Sequence, residues 1–376
     1  MEQRFNIMRL SVYTVVCLLL MGNTVTKAQQ ITGGQYAFEY LRLSNSAHVS
    51  ALGGITVANP GNDIAFALQN PAMMRPGMHN DLELTYNGYY AGIAVMNLNY
   101  GYYVPKINTS FFFGIQYLNY GGIQLTDPLG NINGTFHAVD YATTFGASRK
   151  YKDHWRYGAD VKMAHSVLYR STATALLTDV GINYYDTASL WDFGATAKNM
   201  GVMVKTYTAG NSEPLPFDLQ LGVSKRFKHL PLRLFATMHH VYEWDIRYDN
   251  PADLTGTSAL GTSDTINDKG SHFGDKLARH FIFGAELTFG NRVTITGSYN
   301  DLQRRELALT TMPGIAGFAF GLGINLNKFQ IHYARTYYSI AGPYNELSIT
   351  MSLNKLIGLA KTGERIHWSE EYPDWE

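Results

Sequence analysis

A two-residue rhythm constrains this chain more than any other feature. Phe281, Phe283, Ala285, Leu287 and Phe289 fall on one face of an extended segment, and Ile282, Gly284, Glu286 and Thr288 fall on the other. The rhythm returns in Phe329, Ile331 and Tyr333 against Gln330, His332 and Ala334. It returns again in Leu347, Ile349, Met351 and Leu353 against Glu346, Ser348, Thr350 and Ser352. Strands of about ten residues with one apolar face and one polar or small face are the length that crosses an outer membrane. Lipid cannot hydrogen-bond a bare sheet edge, so such strands must close on themselves. The expected fold is all-β, a transmembrane antiparallel β-barrel, and the expected place is an outer membrane.

The first residues suit export to that place. Arg4 and Arg9 precede an apolar run from Leu10 to Met21, and Thr26 and Ala28 occupy the −3 and −1 positions of a cleavage site before Gln29. The run is too short for a bilayer helix and fits a removable signal peptide over residues 1–28. Cys17 is the only cysteine, and the residues before it do not form a lipoprotein cleavage box. The processed chain therefore has no thiol and no disulfide.

Formal net charge is zero, which gives no electrostatic attraction toward nucleic acid. Charged residues are only 16% of the chain, while Tyr numbers 26 and Gly 36. A soluble β-sandwich of this size would divide into domains and show more surface charge. Aromatic belts at the interfaces, and glycines where strands bend, account for the composition of a barrel.

Alternation and breakers together place strands near residues 81–88, 90–104, 108–120, 135–149, 154–167, 173–185 and 189–199. Seven more follow near 216–227, 231–246, 277–289, 291–300, 314–326, 328–338 and 344–353. The count is about 14, an even number as bacterial barrels require. Every second junction is short, as at Pro105-Lys106-Ile107 and Asp186-Thr187-Ala188, whereas 121–134, 200–215, 246–276 and 301–313 read as long loops. Short periplasmic turns opposite long surface loops put both termini in the periplasm and 246–276 outside. These four loops are also the favoured partner-binding segments, because a rigid scaffold can carry binding on its loops.

Two segments lie outside the barrel at 81–353. Residues 29–80 read as a plug, since Phe66, Leu68, Met73 and Met74 must hide from water and the lumen is the nearest cover. Residues 354–376 read as a periplasmic tail whose Trp368, Tyr372 and Trp375 lie among acidic residues in a polar, disordered composition.

No chemistry-bearing motif survives its context, so the expected catalytic, cofactor-binding and metal residues are none. Ser352 to Lys355 matches S-x-x-K and Lys361 to Gly363 matches K-T-G, with S-x-N at Ser298 to Asn300. In penicillin-binding enzymes the serine–lysine helix comes first and the K-T-G strand lies far downstream. Here the order is scrambled and the first motif sits at a strand end. His239 and His240 read as mid-strand neighbours on opposite faces, unable to share a metal or a proton, with His239 in the lumen. Gly321-Leu322-Gly323 reads as barrel curvature.

The stretch from Gln29 to Met74 carries a family resemblance. Phe38-Glu39-Tyr40-Leu41-Arg42-Leu43, then Ser46-Ala47-His48 before Ala51-Leu52-Gly53-Gly54, and Asn70-Pro71-Ala72 resemble the PorQ family of outer-membrane proteins. These belong to the type IX secretion system of Bacteroidota, and the motifs are partly shared with PorV and with FadL-type transporters. His48 stands where Arg is expected in many relatives. The resemblance implies a FadL-like barrel of 14 strands in the attachment complex. In that complex it would hold a PorZ-like surface protein beside a PorU-like sortase and a PorV-like barrel, where cargo is joined to anionic lipopolysaccharide. It implies no cofactor, and leaves a transporter of a hydrophobic molecule or lipid as the main alternative.

Overall fold

The structure, a computed structural model, describes residues 36–208, 210–246, 273–290, 292–306, 315–339 and 342–357. The signal peptide, the tail from 358, and most of the 246–276 and 301–313 loops therefore lie outside the described residues.

The first seven strands are β1 (Asp81–Gly88), β2 (Ala94–Val104), β3 (Thr109–Thr126), β4 (Ile132–Tyr151), β5 (Trp155–Leu168), β6 (Ser171–Asp186) and β7 (Trp191–Lys205). The next seven are β8 (Asp218–Arg226), β9 (Leu232–Met238), β10 (Phe281–Phe289), β11 (Val293–Asn300), β12 (Phe318–Asn325), β13 (Phe329–Ser339) and β14 (Gly342–Ser352). Each pairs antiparallel with its sequence neighbours, and β1 pairs β14 from Asp81↔Ser352 to Gly88↔Asn345. The sheet is thus a closed 14-strand barrel with no free edge.

The alternation sorts the side chains as expected. Phe283, Leu287, Phe320 and Leu347 face outward and are exposed, while Ile282, Glu286 and Glu346 face inward and are buried. Outward aromatics gather at the short-turn end, where Trp155 meets Tyr184 at 4.9 Å and Trp191 stacks on Phe193. At the other end Tyr299 lies against Phe318 at 4.9 Å. An apolar wall edged by aromatic rings is the outer surface that a membrane-spanning barrel needs. This is an outer-membrane barrel by its own surface.

Several strand ends differ from expectation. The loop expected over 121–134 is only a turn at 127–131, because β3 and β4 run on to Thr126 and back from Ile132. Asp127 organises that turn, accepting from the N–H of Leu129 and of Asn131. The 200–215 loop likewise begins later, since β7 continues to Lys205. In the opposite direction β9 stops at Met238, where an extended run to 246 was expected. The cause is His240, whose φ of 53° turns the chain out of the strand. The wall is consequently tall over β3–β7 and low over β8–β12.

The tall wall carries four register shifts, two between β3 and β4 and two between β6 and β7, and side chains close one in each pair. Between β6 and β7 the register shifts from Thr178↔Met200 to Val180↔Ala197, with Asn199 at a φ of 57°. The Asn199 N–H donates to Asp179 Oδ1 at 2.7 Å in place of a ladder carbonyl. Between β3 and β4 the register shifts at Asn119/Gly122, where the Gly121 N–H donates to Asn119 Oδ1 within β3 at 2.8 Å and the Gly121 carbonyl lies 3.1 Å from His137 Nδ1 of β4.

Residues 36–80 lie inside the ring of strands. They begin at the long-connection end, where Ala37 N–H donates to Pro214 carbonyl at 2.9 Å. They finish at the short-turn end, where Asn80 N–H donates to Gly101 carbonyl at 2.8 Å. The short helix after β14, α1 (Leu353–Ile357), is at that same end, since Leu353 N–H donates to Asn80 carbonyl. The two described ends of the chain are therefore at opposite ends of the barrel, and residues 29–35 lie outside the described residues.

Candidate functional site

The inner segment has little regular structure of its own. It is a run of 3-10 turns with one single-turn helix, Ala47–Ala51, capped by Ser46, whose hydroxyl accepts from Val49 N–H. Turns start where short polar side chains accept from the backbone, as Asp63 does from Ala65 N–H and Asn70 from Ala72 N–H. Ile64, Phe66, Met73, Met74 and Met78 are fully buried in these turns. Burying each stabilises the arrangement by about 1.5–3 kcal/mol, so the segment is held in the lumen by its apolar residues.

Backbone groups left over by so irregular a path need partners from the wall. Lys198 of β7 donates to Leu68 carbonyl at 3.2 Å, Arg156 of β5 to Met74 carbonyl at 2.9 Å, and Ser298 of β11 to Ala51 carbonyl at 2.8 Å. Ala47 N–H donates to Ser348 Oγ of β14 at 2.8 Å, and Ser50 donates to Glu346 of the same strand. Between these contacts, glycines let the segment approach the wall closely. A Cβ at Gly158 would fall 2.5 Å from the Pro71 carbonyl carbon, and one at Gly194 would fall 2.1 Å from Val57 oxygen. Gly158 pairs with Gly181 and Gly194 with Gly222, so adjacent strands present a bare floor to the inner backbone. Gly321, expected to serve curvature, has the same use: a Cβ there would lie 2.3 Å from Ala51 Cβ.

His48 is the centre of the polar contacts. Its Nδ1 lies 2.8 Å from Asp63 within the segment, and its Nε2 lies 3.0 Å from Glu286 of β10. Glu286 also accepts from Arg233 of β9 at 2.7 Å. Burial by itself would lower the His48 pKa, but the hydrogen bonds and charges of Asp63 and Glu286 outweigh it and raise it to about 9. Asp63 is held below the usual carboxylate range, because its hydrogen bond to His48 and the charge on that ring outweigh its burial. The imidazolium thus joins segment to wall between two carboxylates.

His48, Asp63 and His332 bring three potential metal-ligating atoms within 4.8 Å of one another. The two rings nevertheless stack, with centroids 4.4 Å apart and 10° between their planes. Imidazole lone pairs lie in the ring plane, so near-parallel rings cannot aim at one ion. Both His48 nitrogens are already engaged. The cluster is a hydrogen-bonded lock.

The expectation for His239 and His240 needs correction. They lie past the end of β9, and the positive φ of His240 rotates its ring toward its neighbour. Their Nδ1 atoms are 2.7 Å apart, within hydrogen-bond distance. His239 is buried, as expected, and its carbonyl lies 2.8 Å from His280 Nδ1. Ser352 of the S-x-x-K motif faces the lumen beside Asp81, Lys355 lies on α1, and residues 361–363 lie outside the described residues.

A cavity of about 500 Å³ is open at the long-connection end. Residues 36–40 of the inner segment form one side, and β3–β6 with the 206–217 connection form the other.

No protein-family model matches the chain, and no curated protein matches it. Among solved structures the chain is similar to the CymD monoaromatic hydrocarbon channel, at 13% identity and a TM-score of 0.47 over 84% of this chain and 97% of that one. It is similar to a deltaS2 mutant of the TodX monoaromatic hydrocarbon channel at 12% identity and a TM-score of 0.45, over 81% of this chain and 96% of that one. A Pseudomonas aeruginosa FadL homologue is similar at 12% identity and a TM-score of 0.42, over 78% and 94%. The likeness is one of fold alone.

Proposed function

We propose that this protein is a non-enzymatic outer-membrane anchor in the attachment complex of a type IX secretion system. It holds a PorZ-like surface protein near a PorU-like sortase and a PorV-like barrel, with the long connections outside the cell. Residues 29–80 act as its plug. The reading extends the sequence resemblance centred on residues 38–72. The observation that carries it is the bonding of residues 36–80 to the wall from β2 round to β14. A lumen filled by a segment tied down on all sides favours a rigid support over a path for cargo.

A second reading, transport of a hydrophobic small molecule, draws on the open cavity beside Tyr36–Tyr40. It needs a way onward from that cavity, and the wall bulge at Asn199 is closed by Asp179. The test is affinity capture of the full-length protein from detergent-solubilised outer membranes. An anchor brings down a large surface protein in near-stoichiometric amount. A barrel that comes down alone, with a hydrophobic molecule in its lipid extract, would favour transport.

A further inference from the structure

The cavity at the long-connection end has a chemistry that neither reading requires. Its walls are aromatic: Tyr36, Phe38 and Tyr40 come from the inner segment, Tyr120 from β3 and Tyr207 from the 206–217 connection. Phe38 stacks on Tyr207 with ring centroids 6.4 Å apart and meets Tyr40 edge-on at 6.2 Å. Tyr40 is fixed by its hydroxyl, which donates to Tyr141 carbonyl at 2.7 Å. Rings held in this way present π faces at low entropic cost.

The charged groups in the lining are all carboxylates: Glu39, Asp140 and Glu213. Glu39 accepts from Arg42 at 2.9 Å and is compensated. Asp140 and Glu213 form no ion pair among the described residues. Asp140 is 5% exposed; its Oδ2 accepts from Tyr120 hydroxyl at 2.6 Å, Oδ1 has no well-formed hydrogen bond, and the Ser166 and His165 side chains lie beside the carboxyl. A buried carboxylate oxygen lacking a good donor is costly and calls for a partner. A pocket for an acid or a hydrocarbon would not keep it.

We propose that this cavity binds an organic cation, an ammonium or guanidinium group carrying apolar substituents. The aromatic faces attract the cation through their quadrupoles and cover its substituents. Asp140 and Glu213 supply the counter-charge, and Asp140 Oδ1 accepts from the cation wherever it carries an N–H. The proposal is independent of whether the barrel anchors or transports. The cation comes either from a free small molecule or from a lysine or arginine side chain of a bound protein, and the chemistry of recognition is the same.

The test uses the purified full-length barrel in an uncharged detergent and titration calorimetry. The probes are benzyltrimethylammonium, its neutral isostere neopentylbenzene, the anion phenylacetate, and a capped arginine dipeptide. The cation binds at least about tenfold more tightly than the neutral isostere, and the anion does not bind. Asp140→Asn weakens the cation about tenfold and leaves the isostere unchanged. Tyr207→Leu, which lies in a connection and spares the sheet, weakens it by several-fold. Comparable binding of the arginine dipeptide identifies a protein side chain as the source, and binding of the quaternary ammonium alone identifies a free molecule. Equal binding of cation and isostere, preference for the anion, or no cation binding by a folded barrel would each overturn the proposal.

Discussion

His48 Nε2 lies 3.0 Å from Glu286, joining the inner segment to β10 across 238 residues of chain. The other nitrogen of the same ring lies 2.8 Å from Asp63. One imidazole thus holds two buried carboxylates, and Arg233 completes the set on Glu286.

Replacing His48 by Ala strands Asp63 and half of Glu286 in a buried site. Breaking a buried, hydrogen-bonded pair costs about 3 kcal/mol. Hydrogen exchange measured peptide by peptide should rise in residues 36–80 of His48→Ala while the strands stay protected. Unchanged protection of that segment would show that apolar burial alone holds it.

The lock has a pH window. The folded-state pKa of His48, about 9, exceeds its ordinary 6.5, so its contribution is full below 6.5 and is lost as pH rises through 9. Asp63 is displaced downward, so its contribution is present above 3.8 and is lost as pH falls below that value. Protease resistance of the inner segment should fall between pH 7 and pH 10 in the native protein. His48→Lys, whose amine stays charged across that range, should show no such fall.

The glycine floor is a steric requirement. A methyl at Gly194 would meet Val57 carbonyl oxygen at 2.1 Å, and backbone cannot turn aside as a long side chain can. Gly194→Ala should displace the inner segment, at about 1–3 kcal/mol by overpacking, and still assemble a closed barrel. Heat-modifiable gel mobility checks closure and limited proteolysis checks the segment. A variant as resistant as the native protein would contradict the seating.

The bulge between β6 and β7 depends on Asp179, which accepts from Asn199 N–H and pairs with Lys162. Asp179→Ala should loosen the wall there and raise exchange at Asn199. Asp179→Asn, whose amide oxygen still accepts, should loosen it less. Equal exchange in both variants would remove the carboxylate from its bridging role.

Much of the fold was legible because period-two alternation is a local property. Phe283 and Glu286 declare their faces within one strand, and a closed sheet follows from what lipid cannot satisfy. Strand ends were harder. A loop is expected from 121, yet β3 passes through Gly121-Gly122 as a bulge; His240 reads as strand, yet its positive φ ends β9. The lock was not legible at all. His48, Asp63, Arg233 and Glu286 are scattered along the chain, and nothing local marks a histidine as paired. Gly321 reads as curvature because a seat is defined by what sits on it. The one signal available for His48 was its place where the resembling family expects Arg, a cation in either case.

The central claim is that surface connections, and not the lumen, hold the partner. The direct measurement is retention of the surface partner on intact cells, normalised to barrel level in the outer membrane. It compares a variant lacking residues 252–272 with the lumen variant His239→Ala. The account predicts loss of the partner in the first and full retention in the second, because the closed ladder from β1 to β14 does not depend on that connection. Full retention after trimming, with loss after the lumen substitution, would contradict it and favour transport.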